Sequence, residues 1–285
     1  MKVAAVIVTY RPTLTVLREI MRILSNQCDI IVADNAATPD EAHLVAAQVG
    51  NAGHVTYLSM QGNLGIGAAQ NAGIAAAWAR GAEAVLLLDD DSIPAADLVE
   101  CLVRCARTLG PQAVVSANAI APDGKEISNI RNAVGALPHC RDMMSSGALI
   151  RRSIFERVGR FDEDLFIDGV DFDWGWRARQ LGFDLRLCRS TAIRHRLGDG
   201  SVAGVRYPSP IRHYFQYRNV LRLMLRPHTP SDWRIAQSFK LAAKLALIPL
   251  LMPQRMVRLR FAVSGIRDAL LGVGGPYVAT PRGKR

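Results

Sequence analysis

Three adjacent carboxylates are the residues of this 285-residue chain best placed to do chemistry. Asp89, Asp90 and Asp91 directly follow a run of five apolar residues, 84–88, which is typical of a buried parallel strand. Ligands of open α/β sheets bind outside the carboxyl ends of such strands. Because three neighbouring negative charges repel one another, the triplet favours a divalent cation that holds a diphosphate. The alternative is a solvated acidic turn.

A second set of acids, Asp168, Asp171 and Asp173, lies at the start of a short helix predicted over residues 173–181. One interpretation of a carboxylate at this position is a helix cap or a partner of the helix dipole. Such a carboxylate can also serve as the base that removes a proton from an acceptor hydroxyl in a glycosyl or acyl transfer. The small residues Ser146 and Gly147 upstream suit a backbone that approaches a sugar, or an ordinary lead into a strand.

The glycine-rich segment 63–73 presents backbone N–H groups at the start of a predicted helix, where phosphate or ribose can bind. Gly65 and Gly67 match the dinucleotide fingerprint Gly-x-Gly-x-x-Gly, but Gln70 occupies the third position. A nucleotide-dependent oxidoreductase is therefore an alternative. Against it, the motif follows the third predicted strand rather than the first, and three carboxylates would repel a pyrophosphate in the absence of a metal.

Alternating strands and helices must position these residues. Apolar runs predict strands over 3–8, 29–33, 54–58, 84–89 and 192–195, and helical spacing predicts helices over 14–24, 41–49, 68–80, 213–224 and 233–252. Such alternation indicates an α/β fold with a mostly parallel, doubly wound sheet flanked by helices. Four strand ends would then share one edge of the sheet. They carry Thr9 with Tyr10, Asp34 with Asn35, Asp89 to Asp91, and His195.

Charge divides the chain into two regions. Residues 201–285 contain 15 Lys and Arg but only two acids, whereas residues 1–200 contain 20 basic and 23 acidic residues. We expect a catalytic domain over 1–200, with a nucleotide-binding half at 1–120 and an acceptor half at 121–200. The basic amphipathic helices of 201–285 would dock on an anionic membrane surface or an acceptor. Packing of these helices on the core is the alternative, and a nucleic-acid partner is not expected because no motif for one is present.

The cellular setting is read from the cysteines and from the hydropathy. The five cysteines include no Cys-x-x-Cys pair, and the apolar N-terminus is too short for a secretion signal. No stretch reaches the roughly 18 apolar residues expected of a membrane span. We therefore expect a cytoplasmic protein that lies peripherally at the inner face of the cell membrane.

Taken together in this order, the motifs resemble those of the inverting glycosyltransferases of family 2, which have the GT-A fold. Within that family the chain is most similar to bacterial rhamnosyltransferases, over about residues 3–225. The matching stretches are Val8–Tyr10, Val32–Asn35, Asn63–Gly73, Leu88–Ser92, Ser146–Ile150, Gly159–Asp164, Asp168–Gly182, His195 and Tyr217–Asn219. The chain lacks the Gln-x-x-Arg-Trp motif of processive synthases, which favours transfer of one or a few sugars.

The resemblance implies a role for each matching residue. Asp91 would hold Mg²⁺ or Mn²⁺ against the donor diphosphate, Asp89 would contact the metal or ribose, and His195 would complete that site. Asp171 falls at the position of the catalytic base, although the family commonly has Glu-Asp where this chain has Val170-Asp171. The implied nucleotide-sugar ligands are Thr9, Tyr10, Asp34, Asn63, Asp89 and Arg218. The implied acceptor ligands are Ser146, Gly147, Asp168 and Trp174.

The activity implied is a metal-dependent inverting transfer of L-rhamnose from dTDP-L-rhamnose to a glycan or lipid-linked glycan of the bacterial cell surface. A UDP- or GDP-sugar is the alternative donor. Two rival functions are the nucleotide-dependent oxidoreductase and a module that binds nucleotide sugars or anionic lipids without catalysis.

Overall fold

The computed structural model of the chain describes residues 1–50, 52–128, 137–195, 201–202, 205–206 and 208–279. Its residues pack into two units, the first comprising Met1–Asp162 with Asp171–Leu197 and the second Glu163–Val170 with Gly198–Arg285. For the residues that the structure describes, this division differs from the predicted boundary at residue 200 in one segment. Residues 163–170 lie within the predicted catalytic domain but pack with the C-terminal unit.

An eight-stranded sheet forms the centre of the first unit. Its strands are β1 (Val3–Thr9), β2 (Asp29–Asp34), β3 (Val55–Ser59), β4 (Ala84–Asp89), β5 (Ser92–Pro94), β6 (Ala113–Ile120), β7 (Ala148–Arg151) and β8 (Asp184–His195). They lie in the order β3-β2-β1-β4-β7-β6-β8-β5. The predicted α/β class is confirmed, and the sheet is mixed because β7 and β5 run antiparallel to their neighbours.

The strand directions account for the convergence of polar residues. β1, β2, β3 and β4 are mutually parallel, and β6 and β8 share their direction because the antiparallel β7 separates them from β4. Central strands of this kind are buried on both faces, and β1 is buried along all seven residues. The carboxyl ends of β1, β2, β4 and β8 therefore lie along one edge of the sheet, as the strand pattern predicts.

Helices cover both faces of the sheet. They are α1 (Leu14–Leu24), α2 (Pro39–Val49), α3 (Ile66–Ala79), α4 (Leu98–Leu109), α5 (Arg152–Val158) and α6 (Val170–Gln180). The predicted limits of α1 match the structure, because Leu17, Ile20 and Leu24 give it one regular buried stripe. Helix α2 begins two residues before its predicted start. The Thr38 side chain accepts a hydrogen bond from the Glu41 N–H, and Pro39 suits the first helical position.

Helix α3 approaches the sheet closely at a glycine. An added Cβ on Gly73 would lie 2.4 Å from Val6 Cγ1 and 3.5 Å from Ala33 Cβ. The absence of a side chain at this position therefore sets the distance between α3 and the β1–β2 pair. Since α3 begins directly after the glycine-rich loop, the same contact determines where that loop lies.

The second unit is helical. It contains a 3₁₀ helix (Glu163–Leu165), α7 (Arg212–Met224), α8 (Ser231–Leu251), α9 (Arg255–Leu270) and a short antiparallel pair, β9 (Ser201–Val202) with β10 (Val205–Arg206). Gly265 of α9 lies against the backbone of α7, where a Cβ would be 2.4 Å from the Tyr214 carbonyl oxygen. Among the described residues, no helix combines the length and the apolar character needed to cross a membrane.

We predict that Gly73→Ala destabilises the first unit. Alanine ordinarily stabilises a helix interior by about 1 kcal/mol relative to glycine, but here overpacking against Val6 would cost roughly 1–3 kcal/mol. Urea unfolding should show a lower free energy of unfolding for Gly73→Ala than for Gly53→Ala. Gly53 is a suitable control because no heavy atom lies within 4 Å of its added Cβ. Equal stability of the two variants would contradict the close packing of α3.

Candidate active site

Three side chains from two distant segments of the first unit meet at the carboxyl edge of the sheet. Asp89 ends β4, Asp91 precedes β5, and the antiparallel pairing of Ser92 with His195 brings the end of β8 to them. His195 Nδ1 lies 3.3 Å from Asp91 Oδ1 and 2.7 Å from Ser92 Oγ. One ligand atom each from Asp89, Asp91 and His195 lies within 4.8 Å of the others. We call these three residues the acid–histidine group.

The electrostatics of this group favour a cation. Burial raises the pKa of Asp89 to about 8, and the charges of Asp91, Asp90 and Asp171 contribute to the same shift. The pKa of Asp90 is raised to about 7, mainly by burial, although a hydrogen bond from the Tyr10 backbone opposes the shift. Without a cation, protons must therefore neutralise part of the cluster. Two carboxylates and an imidazole are a donor set that fits Mn²⁺ or Mg²⁺.

The middle acid of the triplet has a different contact from its neighbours. Asp90 Oδ2 accepts a hydrogen bond of 2.9 Å from the backbone N–H of Tyr10, directly after β1. The carboxylate thereby fixes the chain at the end of β1. Asp89 and Asp91, rather than Asp90, are the acids that converge with His195.

A chain of hydroxyl groups lies behind the acid–histidine group. The Asp89 N–H donates to Ser146 Oγ at 3.1 Å, and Ser146 Oγ donates to Ser92 Oγ at 2.8 Å. Gly147 has a φ of +86°, and a Cβ there would lie 3.2 Å from Ala117 Cβ. The acceptor contacts expected of Ser146 and Gly147 stay a prediction. Ser146 is buried and supports the backbone of the triplet, and Gly147 is packed against β6.

The ends of β1 and β2 carry the residues predicted to bind a nucleotide base. Thr9 and Asp34 are buried, and Thr9 Oγ1 donates to Asp34 Oδ1 at 2.6 Å while the Tyr57 hydroxyl donates to Asp34 Oδ2 at 2.8 Å. Each carboxylate oxygen of Asp34 therefore has one partner within the protein. The direct base contacts expected of Thr9 and Asp34 stay a prediction. Tyr10 is 45% exposed and carries the accessible ring at this edge.

The glycine-rich loop is tied to the end of β2. Asn35 Nδ2 donates to the Gly65 carbonyl oxygen at 3.1 Å, and Asn35 Oδ1 accepts from the Leu64 N–H at 3.2 Å. Asn63 Oδ1 accepts from the Gly65 N–H at 3.1 Å, and Gly65 has a φ of +90° that favours glycine. A pocket of about 460 Å³ opens beside this edge, between the loop after β2, helix α2 and the end of β3.

Asp171 lies in the first turn of α6. Its Oδ1 accepts the Phe172 N–H at 2.9 Å, and its charge is close enough to raise the pKa of Asp89. Trp174, one turn further along, is fully buried between Phe155 and Phe161, and its indole N–H donates to the Gly159 carbonyl oxygen at 2.8 Å. The ring of Trp174 therefore packs within the core, and its contact with an acceptor stays a prediction.

Two further predicted residues lie in the second unit. Arg218 is fully buried, and its guanidinium donates to the carbonyl oxygens of Gly275, Asp164 and Leu165. This guanidinium holds the 163–165 segment, and the contact of Arg218 with a nucleotide sugar stays a prediction. Asp168 has a φ of +63° and pairs with Arg212, whose Nη2 lies 2.8 Å from Asp168 Oδ1.

Comparison with family models decides the class of this site. Residues 4–159, more than half of the chain, match the model for glycosyl transferase family 2. The chain belongs to glycosyl transferase family 2. It is accordingly a glycosyltransferase, and the family resemblance of its sequence motifs is confirmed.

Relatives and solved structures agree with this membership. The chain is 28% identical to the dTDP-rhamnosyl transferase RfbF of Shigella flexneri, over 96% of this chain and 98% of that protein. It is similar in fold to S. aureus TarS residues 1–349 in complex with UDP-GlcNAc, with a TM-score of 0.61 and 13% identity, covering 94% of this chain and 81% of that one. It is also similar to GalNAc-T7 with UDP, GalNAc and Mn²⁺, with a TM-score of 0.56 and 14% identity, covering 82% and 53% of the two chains. The GT-A fold is thereby confirmed.

Sequence reasoning misses two residues of this family 2 site. Ser92 links Ser146 to His195, and Tyr57 holds Asp34 from the neighbouring strand. Ser92 directly follows the acidic triplet, which is a usable signal. Tyr57 offers no such signal, because a tyrosine in a strand is as often a core residue as a residue of a functional site.

We predict that the stability of this glycosyltransferase in EDTA falls as pH rises. The folded-state pKa values of Asp89 and Asp90 exceed the usual value of 3.8, so their protons stabilise the fold below that value and the benefit is lost as pH rises toward 8. Thermal unfolding at pH 5 and pH 9 should show a larger decrease in Tm for wild type than for Asp89→Asn. Addition of Mn²⁺ should reduce the difference, and identical pH profiles for the two proteins would contradict the assignment.

Proposed function

We propose that this enzyme transfers L-rhamnose, with inversion, from dTDP-L-rhamnose to a hydroxyl group of a lipid-linked glycan in bacterial cell-surface polysaccharide synthesis. The observation that carries the sugar assignment is the 28% identity to a dTDP-rhamnosyl transferase over nearly the full length of both chains. The acid–histidine group near Asp171 supports the catalytic part of the proposal. Nucleotide binding would lie within residues 1–120 and part of acceptor binding within 121–200.

Asp91 and His195 would hold Mg²⁺ or Mn²⁺, with Asp89 either sharing the ion or contacting the ribose. The donor set supports this assignment, because the oxygens of Asp89 and Asp91 suit either ion and the imidazole favours Mn²⁺ over Mg²⁺. When bound, such an ion neutralises charge that develops on the leaving diphosphate. Ser92 would orient the His195 ring through its 2.7 Å contact with Nδ1.

The nucleoside of the donor would lie over the carboxyl ends of β1, β2 and β3. Tyr10 exposes its ring there, and the neighbouring pocket has a volume of about 460 Å³. Thr9 and Asp34 would position this edge through their mutual hydrogen bond. Asn63 would seat the nucleotide by setting the conformation of the glycine-rich loop.

Asp171 would act as the base. Its carboxylate would accept the proton of the acceptor hydroxyl as the oxygen attacks the anomeric carbon. The bond between that carbon and the diphosphate oxygen would break on the opposite face, so the configuration inverts in one displacement. The Phe172 N–H bond to Asp171 Oδ1 would hold the carboxylate in place during this step.

A UDP- or GDP-sugar is the alternative donor. One solved structure similar in fold was obtained with UDP-GlcNAc, but likeness at 13% identity concerns the fold and does not select a base. The oxidoreductase alternative loses its basis, because the glycine-rich turn follows β3 at the sheet edge and the chain belongs to a transferase family.

The basic second unit would place the enzyme peripherally at the inner face of the cell membrane. Apolar side chains at the α8–α9 turn are exposed: Leu250 by 74%, Leu251 by 73% and Met256 by 58%. Arg255 lies among them, and a surface that combines apolar and basic residues suits an anionic bilayer interface.

We predict that Asp171→Asn lowers turnover about a thousandfold, because loss of a general base typically costs 10²–10⁴ in rate. Binding of dTDP-L-rhamnose with Mn²⁺, measured as a thermal shift, should remain. Asp123→Asn, at an exposed turn, is the matched control and should retain activity. Near-normal turnover of Asp171→Asn would reject the base. A thermal shift with a UDP- or GDP-sugar but not with dTDP-L-rhamnose would reject the donor.

We also predict that Leu250→Ser combined with Leu251→Ser weakens sedimentation with phosphatidylglycerol vesicles. The control is Leu44→Ser, which removes a leucine that is 57% exposed on α2 of the first unit. Loss of two interfacial leucines should lower the bound fraction several-fold, whereas the control should bind as wild type does. Equal binding of all three proteins would show that the α8–α9 turn is not the membrane contact.

A further inference from the structure

The second unit contains a concentration of positive charge that the proposed chemistry of the first unit does not use. Arg212, Lys244 and Arg258 carry three positive charges, and Asp168 is the carboxylate paired with Arg212. We call the following six residues the cationic cluster: Asp168, Arg212, His213, Gln216, Lys244 and Arg258.

Hydrogen bonds join the members of this cluster. Arg258 Nη1 lies 2.9 Å from His213 Nε2 and also donates to the Pro208 carbonyl oxygen at 2.7 Å. The Lys244 ammonium donates to Gln216 Oε1. His213 and Arg258 are buried, whereas Lys244 and Gln216 are partly accessible. The cluster therefore extends from the interior of the unit to its surface.

The cluster has more hydrogen-bond donors than acceptors. Since His213 Nε2 accepts from Arg258, the proton of the neutral ring lies on Nδ1, and this buried atom has no hydrogen-bond partner. Burial lowers the pKa of Lys244, and the charges of Arg258 and Arg212 lower it further, while Asp168 opposes the shift. Both observations indicate that an additional anion with several acceptor oxygens would stabilise the arrangement.

Apolar side chains accompany the cluster on helix α8. Leu247 and Leu251 follow Lys244 at spacings of three and seven residues, which places them on the same helix face. They are 43% and 73% exposed. A cation next to exposed apolar side chains matches a ligand whose anionic head is attached to a hydrocarbon chain.

We propose that the cationic cluster binds the phosphate groups of a prenyl-diphosphate-linked acceptor. This inference rests on the proposed function for the identity of the acceptor. The donor diphosphate is assigned to the acid–histidine group of the first unit, so the cluster would serve a second and different diphosphate. Lys244 and Arg212 would contact the phosphate oxygens, and Leu247 and Leu251 would contact the first isoprene units.

The test is calorimetric titration of the full-length protein with geranyl diphosphate in EDTA, where the donor site lacks its metal. Lys244→Met should weaken binding at least tenfold, since a charge-assisted contact is lost. Lys244→Gln, which retains a polar end, provides a second variant. Lys240→Met is the matched control, because Lys240 is exposed one turn earlier on α8 and should leave binding unchanged.

Three results would overturn the inference: unchanged binding in both Lys244 variants, an equal loss in Lys240→Met, or displacement of geranyl diphosphate by dTDP with Mn²⁺. Inorganic diphosphate should bind at least tenfold more weakly than geranyl diphosphate, and equal affinity would reject the lipid part of the proposal. A thermal shift with dTDP-L-rhamnose checks the donor site separately. If that shift is absent from wild type while the Lys244 effect persists, the proposed function fails and the anion site stands.

Discussion

Repulsion among the carboxylates at the end of β4 is the constraint that the surrounding structure must satisfy. Asp89, Asp90 and Asp91 are adjacent, and the charge of Asp171 adds to the effects that raise the pKa of Asp89. A neutral hydrogen-bond donor stabilises part of this negative charge, because the backbone N–H of Tyr10 donates to the Asp90 carboxylate. Hydrogen-bond donors of this kind do not cancel a net charge of several units. A bound divalent cation would do so, and for this reason we propose that the cluster binds an anionic substrate through a metal.

The sheet topology explains how so few residues form the site. Strand β4 lies near the centre of the sheet, and its end is supported from behind by the hydroxyl of Ser146. Strand β8 runs for 12 residues to reach His195, and β5 returns antiparallel so that Ser92 lies opposite the imidazole. The close contact of α3 at Gly73 places the glycine-rich loop beside the same edge. The positions proposed for catalysis and nucleotide binding are therefore set by strand register, with short loops between them.

Much of this arrangement is predictable from sequence. The features that are not predictable depend mainly on contacts between residues that are far apart in the chain. The convergence of Asp89, Asp91 and His195 follows from strand pattern, because parallel strand ends share an edge. The contact of Ser92 with His195 depends on pairing across 103 residues, which no local pattern specifies. The burial of Trp174 and Arg218 is not predicted, because their residue types serve equally in binding sites and in cores, and burial is decided by tertiary packing. Strands β5 and β7 are also missed, because they are too short for an alternating apolar pattern to predict them from the sequence.

The central claim is that a divalent cation joins the acid–histidine group to the diphosphate of an activated sugar. Electron–nuclear double resonance of bound Mn²⁺ in the presence of dTDP-L-rhamnose measures this most directly. The account predicts a ³¹P coupling from the diphosphate together with a ¹⁴N coupling that disappears in His195→Ala. A bound Mn²⁺ that shows no ³¹P coupling, or one whose ¹⁴N coupling survives the loss of His195, would contradict it.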